Sequence, residues 1–206
     1  GGLSLDMNAV SEFAQKHRLW IVEDAAHAFP AAWRTDSDSE WRQVGEDTAR
    51  VTCFSFYANK TMTTGEGGMA VTADKDLAER IKLMSLHGLS QTAWNRHSKA
   101  GSWDYKIVAP GYKYNLTDVA AAIGLHQLER AEDMRQARVR IASKYREGLG
   151  NVAAVILPPD PVDRVHSTYL FQIRLRLEKL RIDRNEFIEL MKEQGVVCSV
   201  QWRPLH

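Results

Sequence analysis

Three short segments carry residue types that could do chemistry together. Glu23-Asp24-Ala25-Ala26-His27-Ala28 follows a short apolar run at 19–22. Ser55-Phe56-Tyr57-Ala58-Asn59-Lys60 closes a second apolar run at 51–56, and Gly65-Glu66-Gly67-Gly68 follows after Thr61 to Thr64. Ligands bind at the carboxyl ends of strands in open α/β sheets. A carboxylate there, followed by two small residues, leaves room for a flat ligand ring. A lysine that leaves a buried strand into a glycine-rich turn can be partly desolvated, and a desolvated amine is the better nucleophile. Glycines let the backbone turn sharply beside it. Each feature has a plain reading as well. An Asp after a strand is often a turn residue, a lone Lys a surface charge, and a Gly-rich run only a turn. Their order and spacing together favour the chemical reading.

The elements that must position these residues read as alternating helix and strand. Apolar residues Leu5, Met7, Val10, Phe13 and Ala14 mark a helix over 5–17, with Asp6 or Asn8 at its start. Strands are expected at 19–22, 51–56 and 69–72, a polar surface loop at 34–50, and an amphipathic helix at 75–86. Residues 87–114 form a long connection with Trp94, Trp103, Tyr105 and Tyr112, and long connections inside a domain are usually functional. A long helical pattern runs from 116 to about 148. Thr117 or Asp118 caps its start, and a break is expected near Glu132. Beyond 151 the pattern becomes strand (152–157), Pro-rich link, strand (168–177), helix (184–194) and strand (196–202). The expectation is an α/β large domain with a mainly parallel sheet over 1–150, then a partial α+β small domain over 151–206.

Composition narrows the classes. The 206 residues are 44% hydrophobic and 26% charged, with a formal net charge of +1, so the chain as a whole offers no footprint for nucleic acid. The basic cluster from Arg135 to Arg140 has helical spacing and reads as a solvated helix face. Cys53 and Cys198 are too few for a disulfide framework and lack zinc spacing. Both lie in strand-like runs, which makes reduced core residues of a cytoplasmic protein the expectation. No run approaches the ~20 apolar residues of a membrane helix, and no metal site is expected.

The motifs together are more specific than any one of them. EDAAHA at 23–28, SFYANK at 55–60 and TTGEGGM at 63–69 resemble the core motifs of the DegT/DnrJ/EryC1/StrS sugar aminotransferases, within the fold type I pyridoxal-phosphate enzymes. HGLS at 87–90 and PGYKYNLTDVAAAIGLHQL at 110–128 are similar to later segments of that family, and the resemblance extends to VQWRPLH at 200–206.

The resemblance implies that Lys60 holds pyridoxal 5'-phosphate as a Schiff base and that Asp24 pairs with the pyridine nitrogen. It places His27 near the cofactor ring and Ser55 on the phosphate. Asn115 would reach the phosphate of a neighbouring subunit's cofactor, so the site would be shared across a homodimer. Tyr57 stands where the family often has His or another aromatic. The implied activity is amino transfer, with glutamate as donor, to a keto sugar linked to a nucleotide, in the setting of polysaccharide biosynthesis. The family's dehydratase branch replaces the Schiff-base Lys, usually by His, so Lys60 favours transamination. Trp94, Arg96, His97, Trp103 and Tyr105 could cover a sugar nucleotide, or simply pack their own segment.

Family chains are longer. This sequence resembles a fragment that starts after the family's first strands and helices, without the Gly-Ser or Gly-Thr phosphate loop and the aromatic that stacks on the cofactor. It also stops before the end of the small domain. The competing reading is therefore a truncated relative, inert or regulatory, that folds and dimerises without turnover.

Overall fold

The computed structural model describes residues 1–46, 49–90, 106–200 and 202. By contacts the chain divides into two compact units, Gly1–Val139 with Asp160–Leu170, and Arg140–Pro159 with Phe171–His206.

In the first unit, helix α1 (Met7–His17) is capped by Asp6, whose carboxylate accepts the Ala9 N–H at 3.1 Å. It buries Met7 and Ala14 and leads into β1 (Val22–Asp24). A hairpin follows, β2 (Ala32–Trp33) and β3 (Arg42–Gln43), then β4 (Val51–Ser55) and β5 (Gly68–Val71). The main sheet has the order β1-β4-β5. The α/β expectation holds, and the sheet is mixed: β1 lies parallel to β4, and β5 antiparallel to it.

Strand alternation sorts the two acidic neighbours at the end of β1. Glu23 lies opposite Thr52, which is 1% exposed and donates its hydroxyl to the Glu23 carboxylate at 3.0 Å. On that same face Phe54 packs against Ala25, Ala31 and Val44. Asp24 lies opposite Cys53, on the other face, and both are exposed. Cys53 is therefore not the core residue expected from its apolar run. Thr52 and Phe54 take the packed face, and period-two alternation turns Cys53 away from it. Cys198 is half-buried.

Helix α2 (Lys75–Ser85) is followed by α3 (Asp118–Glu129) and α4 (Ala131–Leu149). Thr117 caps α3 by accepting the Ala120 N–H at 3.2 Å. The expected break in the long helical pattern falls at Arg130, close to Glu132. A second small sheet, β3-β2-β7, brings β7 (Arg164–Val165) antiparallel to β2, with Ala32 opposite Val165. This pairing was not visible in sequence, because strands of two residues carry no period to read.

In the second unit β6 (Val155–Ile156) pairs antiparallel with β8 (Arg174–Leu175), followed by α5 (Arg184–Glu193). Asp183 caps α5 through the N–H groups of Asn185 and Glu186. Arg146 donates to the Pro158 carbonyl at 2.8 Å and lies over the Phe171 ring. The strand expected at 168–177 shrinks to β8, because Thr168 adopts a left-handed φ of 55° that breaks extension. The strand expected at 196–202 does not form among the described residues. Strands need a pairing partner, and Val197 is 87% exposed.

Candidate functional site

Two parallel strand tips start the site. Asp24 ends β1 opposite Cys53, and Ser55 ends β4 beyond Cys53 on the same face by alternation. The Asp24 carboxylate accepts the Ala26 N–H at 3.0 Å, which closes the chain into a tight turn toward His27. Two alanines suit that turn, since Ala25 is 1% exposed in the core. The Ser55 hydroxyl accepts the Tyr57 N–H at 3.3 Å and so begins the loop to Lys60.

That loop is tied down at several points. The Lys60 N–H donates to the Tyr57 carbonyl at 3.0 Å, and the Thr64 N–H to the Phe56 carbonyl at 3.0 Å. Gly67 has φ of 154°, and a Cβ there would meet the Thr64 hydroxyl at 2.5 Å and a Leu116 methyl at 3.0 Å. Glycine is required at this position for both reasons. Helix α3 supports the loop from behind. Gly124 is buried, and a Cβ on it would meet Thr64 at 3.2 Å. The Gln127 amide oxygen accepts the Thr63 N–H at 3.4 Å. The glycine-rich run thus shapes the lysine loop, as its position in the sequence suggested.

A third segment completes the site. Following β7, the turn 166–169 folds against the Asp24–His27 turn. Ser167 is fully buried and donates its hydroxyl to the His27 carbonyl at 2.6 Å. The Thr168 N–H donates to His166 Nδ1 at 2.7 Å. Thr168 at positive φ is strained by about 1–3 kcal/mol, the usual cost of such a conformation for a residue other than glycine. The turn delivers Tyr169, whose ring centroid lies 4.4 Å from that of His27. Its hydroxyl donates to Asn59 Oδ1 at 2.9 Å and stands 3.5 Å from Lys60 Nζ, while Nζ sits 4.6 Å from the ring centroid.

His27 reports the electrostatics of the patch. Burial holds its pKa below the ordinary value of 6.5, and the positive charge of Lys60 lowers it further, while Asp24 opposes them. The imidazole is therefore neutral at pH 7. The unfolded chain protonates His27 near 6.5, and the folded chain only at lower pH. Its neutral form supports folding fully above pH 6.5, and that support is lost as pH falls through the folded pKa. Lys60→Met removes a nearby positive charge and is expected to raise the His27 midpoint, read from its ring-proton shifts across pH. An unchanged midpoint would show that Lys60 does not face His27.

Of the residues expected from sequence, Asp24, His27, Ser55 and Lys60 come from adjoining segments, and His27 feels both Asp24 and Lys60. Asn115 makes other bonds: its side chain accepts from Lys113 and donates to the Leu116 carbonyl at 3.5 Å. Tyr57 is exposed. Tyr112 stacks on Tyr114 with centroids 4.9 Å apart. Trp94, Arg96, His97, Trp103 and Tyr105 lie outside the described residues. Tyr169 and Asn59 were not singled out from sequence. Tyr169 is more than one hundred positions from Lys60 and was read as part of a strand; only the β2–β7 pairing brings it near.

Comparison with known proteins points in one direction. The family model described as the DegT/DnrJ/EryC1/StrS aminotransferase family matches residues 1–206. The spore coat polysaccharide biosynthesis protein SpsC of Bacillus subtilis is 41% identical over 207 residues, covering all of this chain and 51% of SpsC. Among solved structures, the aminotransferase TlmJ from Streptoalloteichus hindustanus superposes with a TM-score of 0.84 at 29% identity, over 100% of this chain and 51% of TlmJ. The PLP form of Spr1654 from Streptococcus pneumoniae gives 0.82 at 28%, over 99% of this chain and 53% of Spr1654. The chain thus spans about half the length of the relatives it matches.

Proposed function

The chain belongs to the DegT/DnrJ/EryC1/StrS aminotransferase family, and from that premise we propose that Lys60 anchors pyridoxal phosphate for amino transfer from glutamate to a nucleotide-linked keto sugar. The observation that carries the reading is the patch itself, where Tyr169 contacts both the His27 ring and the Lys60 amine, and His27 follows the strand tip that ends in Asp24. The donor set fits the cofactor. Lys60 offers a primary amine for its aldehyde, Asp24 a carboxylate for its ring nitrogen, and Ser55 a hydroxyl for its phosphate. The face carrying Asp24 and Ser55 is built from short side chains, with Cys53, Gly68 and Ala70 beside them in register.

When bound, the cofactor supplies an electron sink for the bond broken at the donor carbon. The chain's own residues do the rest. Asp24 favours a protonated ring nitrogen, as an anion favours any cation beside it. Lys60 Nζ, once displaced by the amino donor, holds and moves the proton at the donor's α-carbon. His27 is neutral and can hydrogen-bond at the ring edge without adding charge beside Lys60. The inert alternative is less well supported, since TlmJ is an aminotransferase. The test is direct: pyridoxal phosphate is added to the protein, the visible spectrum recorded, and the product reduced with borohydride. A band that reduction bleaches, with the added mass on the peptide containing Lys60, supports the reading. No band in a folded chain overturns it.

The homodimer belongs to the same proposal. Helix α3 is apolar around its circumference, and Val119 and Leu125 are 74% and 67% exposed. Helices of that kind are normally covered, and a second copy is the cover proposed, with Asn115 next to the helix start. Leu125→Lys is expected to shift the protein from dimer to monomer in sedimentation velocity. A wild-type protein that sediments as a monomer would contradict the shared site.

A further inference from the structure

Tyr169 is engaged from three sides by residues of the proposed site. Its hydroxyl gives its proton to Asn59 Oδ1 at 2.9 Å, which leaves only lone pairs for Lys60 Nζ at 3.5 Å. Its ring lies 4.6 Å from the same nitrogen and 4.4 Å from the His27 ring. The turn beneath it is over-determined. Ser167 bonds the His27 carbonyl, the Tyr169 N–H donates to the Ser167 hydroxyl at 3.3 Å, and Thr168 keeps a φ of 55° in between. A conformation this unfavourable persists only where its surroundings hold it.

We propose that Tyr169 is a positioning residue, which selects the Lys60 rotamer that captures the cofactor aldehyde and sets the His27 ring against it. This rests on the reading that Lys60 is the anchoring amine. A free lysine side chain has many rotamers to lose when it is captured. Here an accepting oxygen and a ring face have already reduced that freedom, so capture begins from an oriented nitrogen. In capture Nζ bonds the aldehyde carbon, and the aldehyde oxygen leaves as water with the two amine protons. Nζ therefore gives up its hydrogen bond to Tyr169 as the new bond closes.

The test compares wild type with Tyr169→Phe and Tyr169→Leu in two measurements. Acetic anhydride labelling of the chain without cofactor, read lysine by lysine by mass spectrometry, reports how far Nζ is covered. Borohydride-fixed incorporation of pyridoxal phosphate at Lys60, followed in time, reports how well Nζ is oriented. Labelling at Lys60 is expected to rise from Tyr to Phe to Leu, by about threefold at the first step, with the other lysines as references. Capture is expected to slow by about tenfold in Tyr169→Phe. Opposite movements in the two measurements are what a merely structural role would not produce. The ring contact with His27 survives in Phe, so an unchanged His27 ring-proton shift certifies the fold of that variant. Unchanged labelling and unchanged capture in Tyr169→Phe would overturn the proposal. If wild-type Lys60 never fixes pyridoxal phosphate while the graded labelling persists, the cofactor reading fails and the hold of Tyr169 on the amine stands.

Discussion

Lys60→Ala is expected to eliminate the borohydride-bleachable visible band entirely, while leaving a folded chain. The fold should survive because the lysine loop is held by backbone bonds, Lys60 N–H to Tyr57 and Thr64 N–H to Phe56, and by the packing of Gly124 against Thr64. None of these uses the Lys60 side chain, which is half-buried and meets the hydroxyl and ring face of Tyr169. Attachment, in contrast, depends on one nitrogen. Amines elsewhere on the surface can react with an aldehyde, but they lack the groups proposed to hold the rest of the cofactor, Asp24, His27 and Ser55. Their product should scatter over many peptides and wash out in a competing amine buffer. The measurement is the mass of borohydride-fixed cofactor mapped by peptide. Site-specific labelling that persists in Lys60→Ala would remove Lys60 from its role, and with it the functional reading.

Asp24→Asn is expected to keep attachment at Lys60 and to slow amino transfer by about 10²- to 10³-fold. That is the usual effect of deleting one preorganised electrostatic partner of a reacting group. The substitution is nearly isosteric. The Asn side-chain oxygen can still accept the Ala26 N–H that Asp24 accepts at 3.0 Å, so the turn toward His27 should persist. What is lost is the negative charge. Asp24 is also the group that raises the His27 pKa against burial and Lys60, so Asp24→Asn should lower the His27 midpoint further. The two readouts are independent: a rate from single-turnover absorbance and a midpoint from histidine titration. A rate within threefold of wild type would show that Asp24 serves only its turn.

Helix positions and site chemistry were legible in the sequence to different depths. Helices α1, α2, α3, α4 and α5 announce themselves through apolar spacing and through the caps at Asp6 and Thr117, because those signals are local. The break at Arg130 lies where the pattern outruns an ordinary helix. Strands were less certain. The run 51–56 and the run 69–72 became β4 and β5, but 196–202 has no partner among the described residues and forms none. Cys53 shows the same limit in one residue. Its apolar neighbours suggested a core, but which face of a strand is covered depends on what packs there.

The sequence by itself determined the reactive types and their order: Asp24, His27, Ser55 and Lys60, with glycines where the lysine loop must turn. It could do so because each belongs to a short contiguous motif: residue type at a strand end pointed to Asp24 and Lys60, and the resemblance of the motifs to the family implied His27 and Ser55. Only the tertiary structure decided that Glu23 serves Thr52 and Asp24 faces outward, and that Tyr169 and Asn59 belong with Lys60. Those choices depend on strand register and on the β2–β7 pairing across more than one hundred residues. No local pattern encodes a contact that arises only when distant segments bury their surfaces together.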